Sequence, residues 1–152
     1  MKTILVFITL LLFTTKNFAQ LASVDANIKK LNNSQFKIIH GDKSTFEMNS
    51  KAAFKLIKIG KRASKKLLIA LEDSSKNIMA HLVLCHIYFN VATFAGPKVS
   101  TVNDQHVSRY FLGQEKGEGL IISETKNNGE YNLYIEPEYL KATINFWKTK
   151  IK

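Results

Sequence analysis

Lys51 to Phe89, KAAFKLIKIGKRASKKLLIALEDSSKNIMAHLVLCHIYF, reads as three helical pieces, and the last of them decides the fold. At about 100° per residue, Ile78, Leu82, Cys85 and Phe89 make one face of that last piece, while Ala80, Val83, Leu84 and Ile87 cover most of the other. A helix apolar all round is buried and needs partners on more than one side. At twelve residues, Ile78 to Phe89 is too short to span a bilayer, and it contains His81 and His86. The two preceding pieces supply partners. Between Arg62 and Leu71, the residues Ala63, Leu67, Ala70 and Leu71 fall together, opposite Arg62, Lys65 and Lys66. Before Gly60, Ala52, Leu56 and Ile59 form one stripe, and Lys51, Lys55 and Lys58 another. Each of these helices has a dry side and a wet, basic side.

The punctuation agrees. Asn49 and Ser50 can cap the first helix, Gly60 can take the left-handed conformation that ends it, and Asp73, Ser74 and Ser75 form a polar turn able to cap the buried helix. The words KLIKIGKRASKKLLIALEDSSKNIMAHLVL, residues 55–84, resemble a HEAT-like helical repeat: glycine-marked turn, amphipathic helix, acidic turn, apolar helix. The resemblance covers about residues 50–91 and implies a helical hairpin of the kind that serves as an interaction surface. No second copy recurs at a fixed period, which excludes a solenoid and leaves one repeat-like hairpin in a small domain.

Outward toward the N-terminus, residues 1–19 have the anatomy of a secretory signal peptide. Lys2 is followed by the uninterrupted apolar run Ile4–Phe13 and a short polar exit ending at Ala19. Cleavage after Ala19 makes Gln20 the first mature residue, and no cysteine follows the run to carry a lipoprotein anchor. Residues 20–152 then form a single globular domain, a length at which packing alone can hold a core. The full chain carries a formal charge of +10; losing Lys2 and Lys16 and no acid leaves +8. Cys85 is the only cysteine, so no intrachain disulfide forms.

The remaining segments are shorter. Ala22–Leu31 reads as a helix with Val24, Ile28 and Leu31 on one side, closed by Asn32, Asn33 and Ser34. Asn32-Asn33-Ser34 also fits a glycosylation sequon. Phe36–His40 reads as a short strand before a Gly41-Asp42 turn. Ala95-Gly96-Pro97 breaks the helical region, and Lys98 to Asp104 is polar with little periodicity. His106–Leu112 and Leu120–Ser123 read as strands around the glycine loop Gly113–Gly119, and Tyr131, Leu133 and Ile135 alternate after an Asn128-Gly129 turn. Glu136-Pro137-Glu138 opens a last helix with the stripe Leu140, Ile144, Trp147 and Ile151. The expected fold is α+β and mainly helical: a HEAT-like helical hairpin around a buried central helix, a small antiparallel sheet of two or three strands, and a C-terminal helix.

Few residues announce chemistry. His81 and Cys85 stand at i, i+4, a spacing that can place two metal ligands on one face, with His40, His86 or His106 left to complete a set. Cys85 sits in an apolar setting that makes its thiol inert, and the pair reads instead as a packed cysteine with a capped or half-exposed histidine. The Gly113–Gly119 loop has no Gly-Lys-Ser/Thr, carries two glutamates that repel phosphate, and joins strands, so it is no nucleotide cradle. Neither Gly-x-Ser-x-Gly nor His-Glu-x-x-His occurs. No catalytic residue, metal ligand or cofactor is assigned.

Charge is the strongest signal. Lys51, Lys55, Lys58, Lys61, Arg62, Lys65 and Lys66 are seven cations with no acid between Lys51 and Lys66. Such a surface attracts anionic partners. No aromatic is read as interleaving with these lysines, so single-stranded nucleic acid is not the expected partner. The sequence therefore points to a small exported binding module, periplasmic or secreted. It would engage an anionic envelope component or a protein through Lys51, Lys55, Lys58, Arg62, Lys65 and Lys66. The alternative is a cell-envelope enzyme or enzyme inhibitor with its site in residues 99–119, where Asp104, His106 and Arg109 would converge with an acid from the Gly113 loop. Export is checked by mass spectrometry of the native protein: the N-terminus should lie at Gln20 or within a few residues, and an intact Met1 chain in the cytoplasm would contradict it.

Overall fold

The computed structural model describes residues 22–102, 104–114, 119–127 and 129–151. The expected leader, its cleavage point and the charged middle of the Gly113–Gly119 loop lie outside the described residues. In chain order the elements are α1 (22–28), a 3-10 turn (Asn33–Gln35), β1 (Phe36–Ile39), β2 (Thr45–Met48), α2 (Lys51–Ile59), a 3-10 turn (Gly60–Ala63), α3 (Ser64–Ala70), α4 (Asn77–Phe89), β3 (Thr93–Val102), β4 (Gln105–Gly113), β5 (Leu120–Asn127), β6 (Glu130–Tyr134) and α5 (Pro137–Lys150).

Helix α4 is the centre. Asn77 through Cys85 are all buried. The small and aliphatic stripes of α2 (Ala52, Ala53, Leu56) and α3 (Leu67, Ala70) pack into the same core. Leu112, Leu120 and Ile122 join it from the sheet, and Trp147 from α5. Ser50 caps α2 by accepting a 3.2 Å hydrogen bond from the Ala53 N–H. Gly60 ends α2 at φ 71°, a conformation that carries no Cβ penalty in glycine.

The cap of α4 comes from elsewhere than the sequence suggested. Asn33 Oδ1 accepts from the N–H groups of Ile78 (3.0 Å) and Met79 (3.3 Å), and Asn33 Nδ2 donates to Ser74 O (2.8 Å) and Asn77 Oδ1 (2.7 Å). A residue 45 positions away in sequence thus satisfies the free N–H groups of the buried helix. Asp73 is occupied within its own turn, accepting from the Ser75 N–H (2.9 Å) and Ser75 Oγ (2.6 Å) and pairing with Lys76.

The mainly helical expectation with a small sheet is corrected. Among the described residues, six strands form two antiparallel sheets, a β1-β2 hairpin and a four-stranded meander in the order β3-β4-β5-β6. The missed strands are β2 and β3. Strand β3 is ten residues long, but it lies at a sheet edge and most of its side chains face water, so it lacks apolar alternation. It also carries Gly96 and Pro97, residues that an edge tolerates and a central strand does not. The register with β4 slips between Ala95 and Lys98. There Gly96, at φ 126°, brings the strands so close that a Cβ would sit 2.7 Å from Arg109 O. The helix expected at Ala22–Leu31 ends at residue 28, although Leu31 still reaches the core.

Since α4 is covered from several directions, Leu82→Ala should destabilise by about 2–5 kcal/mol, as large core truncations do. Lys55→Ala, on the wet side of α2, should stay within about 0.5 kcal/mol. Urea unfolding of both variants checks this, and a near-neutral Leu82→Ala would remove α4 from the centre of the fold.

Candidate functional site

The basic face follows from how α2 and α3 bury their opposite sides. Lys51, Lys55 and Lys58 are exposed on α2, Arg62 is exposed on the 3-10 turn, and Lys65 is exposed on α3. Among the described residues, Lys51, Lys55, Lys58 and Lys65 have no acidic partner. Lys66 departs from the group, pairing with Asp25 of α1 at 3.0 Å. That pair is exposed and contributes about 0–1 kcal/mol, but it offsets the local charge. Lys61 Nζ lies over the Tyr88 ring, 5.4 Å from its centroid, covering aromatic surface at the end of α4.

Two side chains in this region escaped the sequence reading. Phe54 is 55% exposed and Ile69 is 66% exposed. Phe54 stands three residues after Lys51 and four before Lys58, which puts it on their side of α2. Ile69 stands three and four residues after Lys66 and Lys65, on the wet side of α3. An aromatic therefore does lie among the lysines. The signal was in the spacing, since Phe54 falls off the Ala52–Leu56–Ile59 stripe.

The cluster expected in residues 99–119 does not assemble as drawn. Asp104 sits in the β3–β4 turn at φ 61°, and His106 is exposed on β4. Arg109 is engaged elsewhere: its Nε donates to Glu136 Oε1 (2.7 Å) and its Nη1 to Ser100 Oγ (2.5 Å). Ser123 Oγ donates to the same Glu136 oxygen (2.9 Å). These bonds, Arg109 first, hold the Glu136 carboxyl below its usual range, and Glu136 in turn raises the Arg109 pKa. The network tethers the start of α5 to the sheet. Beside it is an open groove of about 490 Å³ whose walls include Pro97, Lys98, Phe111 and Tyr139.

On the other part of the sheet, Glu124 is 4% exposed. It accepts a hydrogen bond from Tyr110 OH (3.1 Å), and His40 Nε2 lies 3.4 Å from its other oxygen. Burial first, then the Glu124 charge, pushes the Tyr110 hydroxyl up to about 12. His40 also stacks on Tyr131, with centroids 4.7 Å apart. The arrangement ties the end of β1 to β4, β5 and β6.

His81 and Cys85 are fully buried, with Cys85 Sγ 3.4 Å from His81 Nε2. Both imidazole nitrogens are used. Trp147 Nε1–H donates to His81 Nδ1 (3.0 Å), so Nδ1 must accept, and Nε2 must then carry the proton that it donates to Leu112 O (2.8 Å). The ring is a neutral bridge between α5 and the sheet, and it has no lone pair left for a metal. Among the described residues no group of three or more His, Cys, Asp or Glu side chains is placed to hold a metal ion.

No protein-family model, no curated protein and no solved structure matches this chain. Fold and surface define an α+β domain with a central helix buried from Asn77 to Cys85 and a cationic helical face. Among the described residues, no helix is long and apolar enough to cross a membrane.

Desolvation lowers the His81 pKa from 6.5 to about 4. Below pH 6.5 the unfolded chain takes up a proton that the folded chain refuses, so stability present above pH 6.5 is lost as pH falls toward 4. The loss should reach on the order of 3 kcal/mol. Protonation would also turn Nδ1 into a donor facing the Trp147 N–H. Urea unfolding across this window should show the slope in the parent and a clearly smaller slope in His81→Gln; equal slopes would contradict the neutral-bridge assignment.

Proposed function

We propose that this chain is a small exported binding module whose basic helical face engages an anionic partner. The observation that supports the reading is the set Lys51, Lys55, Lys58 and Lys65, exposed on neighbouring helices with no acidic partner among the described residues. Arg62 extends the set along the connecting turn, and Lys66 contributes less because Asp25 faces it. The resemblance of residues 50–91 to a HEAT-like hairpin leans the same way by analogy, since such hairpins present helix faces to partners. The leader-like composition of residues 1–19 supports a partner outside the cytoplasm. One exposed aromatic is not the row of stacking surfaces a single strand needs, so nucleic acid stays outside the reading.

The enzyme alternative draws no support from the groove beside Arg109. The guanidinium it required is committed to Glu136 and Ser100, and the hydroxyl of Ser123 is committed to Glu136 as well.

Exposed charges are screened over about 8 Å at physiological ionic strength, so binding through this face weakens as salt rises. Each cation near an anionic surface is worth about 1 kcal/mol, and replacing Lys51, Lys55, Lys58 and Lys65 together with glutamine should weaken binding roughly a thousandfold. Retention on an immobilised acidic polysaccharide and co-sedimentation with anionic vesicles, each over a salt series, measure this. Unmodified protein that binds neither at physiological salt would leave the lysines a solvating role and end the proposal.

A further inference from the structure

We propose that the anionic partner is a lipid bilayer surface, on which α2 docks with Phe54 as its apolar anchor and Lys51, Lys55 and Lys58 at the headgroups. This rests on the basic-face reading above and adds a component that charge alone does not require. Phe54 is 55% exposed on a helix whose inward stripe, Ala52, Ala53 and Leu56, is fully accommodated by the core. The aromatic ring is thus surplus to folding. It stands among three cations, at −3, +1 and +4, that have no acidic partner among the described residues.

A polysaccharide or an acidic peptide would pair with the lysines and leave a large ring in water. A bilayer interface accepts both groups at once. Lysine stems lie along the apolar boundary while their ammonium groups reach the phosphates, and an aromatic or aliphatic side chain enters the headgroup–acyl boundary. The negative headgroup potential supplies the complementary charge. Helix α3 repeats the composition on its own wet side, with Ile69 66% exposed beside Arg62, Lys65 and Lys66. The apolar contribution is one side chain per helix, so docking is peripheral, reversible and salt-sensitive rather than an insertion.

The test uses the full chain, expressed and purified in whatever processed form expression yields, so that every variant shares one N-terminus. Co-sedimentation is measured with vesicles of phosphatidylcholine and phosphatidylglycerol in equal parts, with vesicles of phosphatidylcholine alone, and, as a lipid-free polyanion, by retention on heparin. The parent should bind the mixed vesicles and not the neutral ones. Phe54→Ser should bind mixed vesicles about tenfold more weakly, consistent with the loss of part of an aromatic side chain's burial, while its heparin retention and melting temperature stay unchanged. Phe54→Trp should restore vesicle binding, and its added emission should shift to shorter wavelength with mixed vesicles and not with heparin. Trp147, fully buried, supplies a constant background. Equal vesicle binding by the parent and Phe54→Ser, or an unshifted Phe54→Trp spectrum, would overturn lipid docking while leaving the basic-face reading intact. Heparin retention without vesicle binding would do the same. If the four-lysine glutamine variant matched the parent on both probes, the basic-face reading itself would fall.

Discussion

Burial of α4 on every side is the constraint from which the other packing decisions follow. Nine consecutive residues, Asn77 to Cys85, are out of water, including the polar Asn77 and His81. An apolar helix in that position cannot be stable as half of a simple hairpin; it needs cover from α2 and α3 and from the sheet, with α5 closing over it through Trp147. The polar groups it buries must also find partners, because an unpaired donor or acceptor in the core costs about 1–3 kcal/mol. His81 meets that demand with one bond to the sheet at Leu112 and one to α5 at Trp147. The imidazole therefore couples three layers, and it can do so only as one neutral tautomer.

The same logic recurs at the margins of the core. Asn33, in the 3-10 turn ahead of β1, satisfies the N-terminus of α4. Arg109 and Ser123 hold Glu136 where α5 begins. Tyr110 and His40 hold Glu124, joining the small hairpin to the large sheet. Each of these polar links bridges segments distant in sequence, and each leaves its members occupied. His81 and Arg109, which looked most like chemistry in the sequence, turn out to be joints of the fold, and Cys85 is buried beside His81 in the same helix.

The wet side of α2 and α3 is different: its side chains are not drawn into the core. There Lys51, Lys55, Lys58 and Lys65 have no acidic partner among the described residues, and two large apolar side chains, Phe54 and Ile69, are exposed beside them. Folding does not explain Phe54 or Ile69, since the opposite sides of their helices already fill the core. The proposed partner, with both negative charge and apolar depth, would engage the lysines and these two residues together, which favours this face over the groove beside Arg109 as the place to test.

The sequence by itself determined the elements whose hydrophobic pattern is strong. The apolar run of α4, the stripes of α2 and α3, Ser50 as a cap, Gly60 as a stop and Pro137 at the start of α5 were all legible, because local spacing and local hydrogen bonding decide them. The basic side was legible too, since burying one stripe of a helix dictates what faces water. The tertiary structure alone decided the rest. Strand β3 carries no alternation because an edge strand is specified by its neighbour's hydrogen bonds and not by burial, and the sheet was underestimated for that reason. The pairing of Lys66 with Asp25, the capping of α4 by Asn33 and the tautomer of His81 depend on groups brought together from 41 to 66 positions apart. Such contacts leave no periodic trace in a single chain, because they are chosen by the closure of the fold and not by any residue's immediate neighbours.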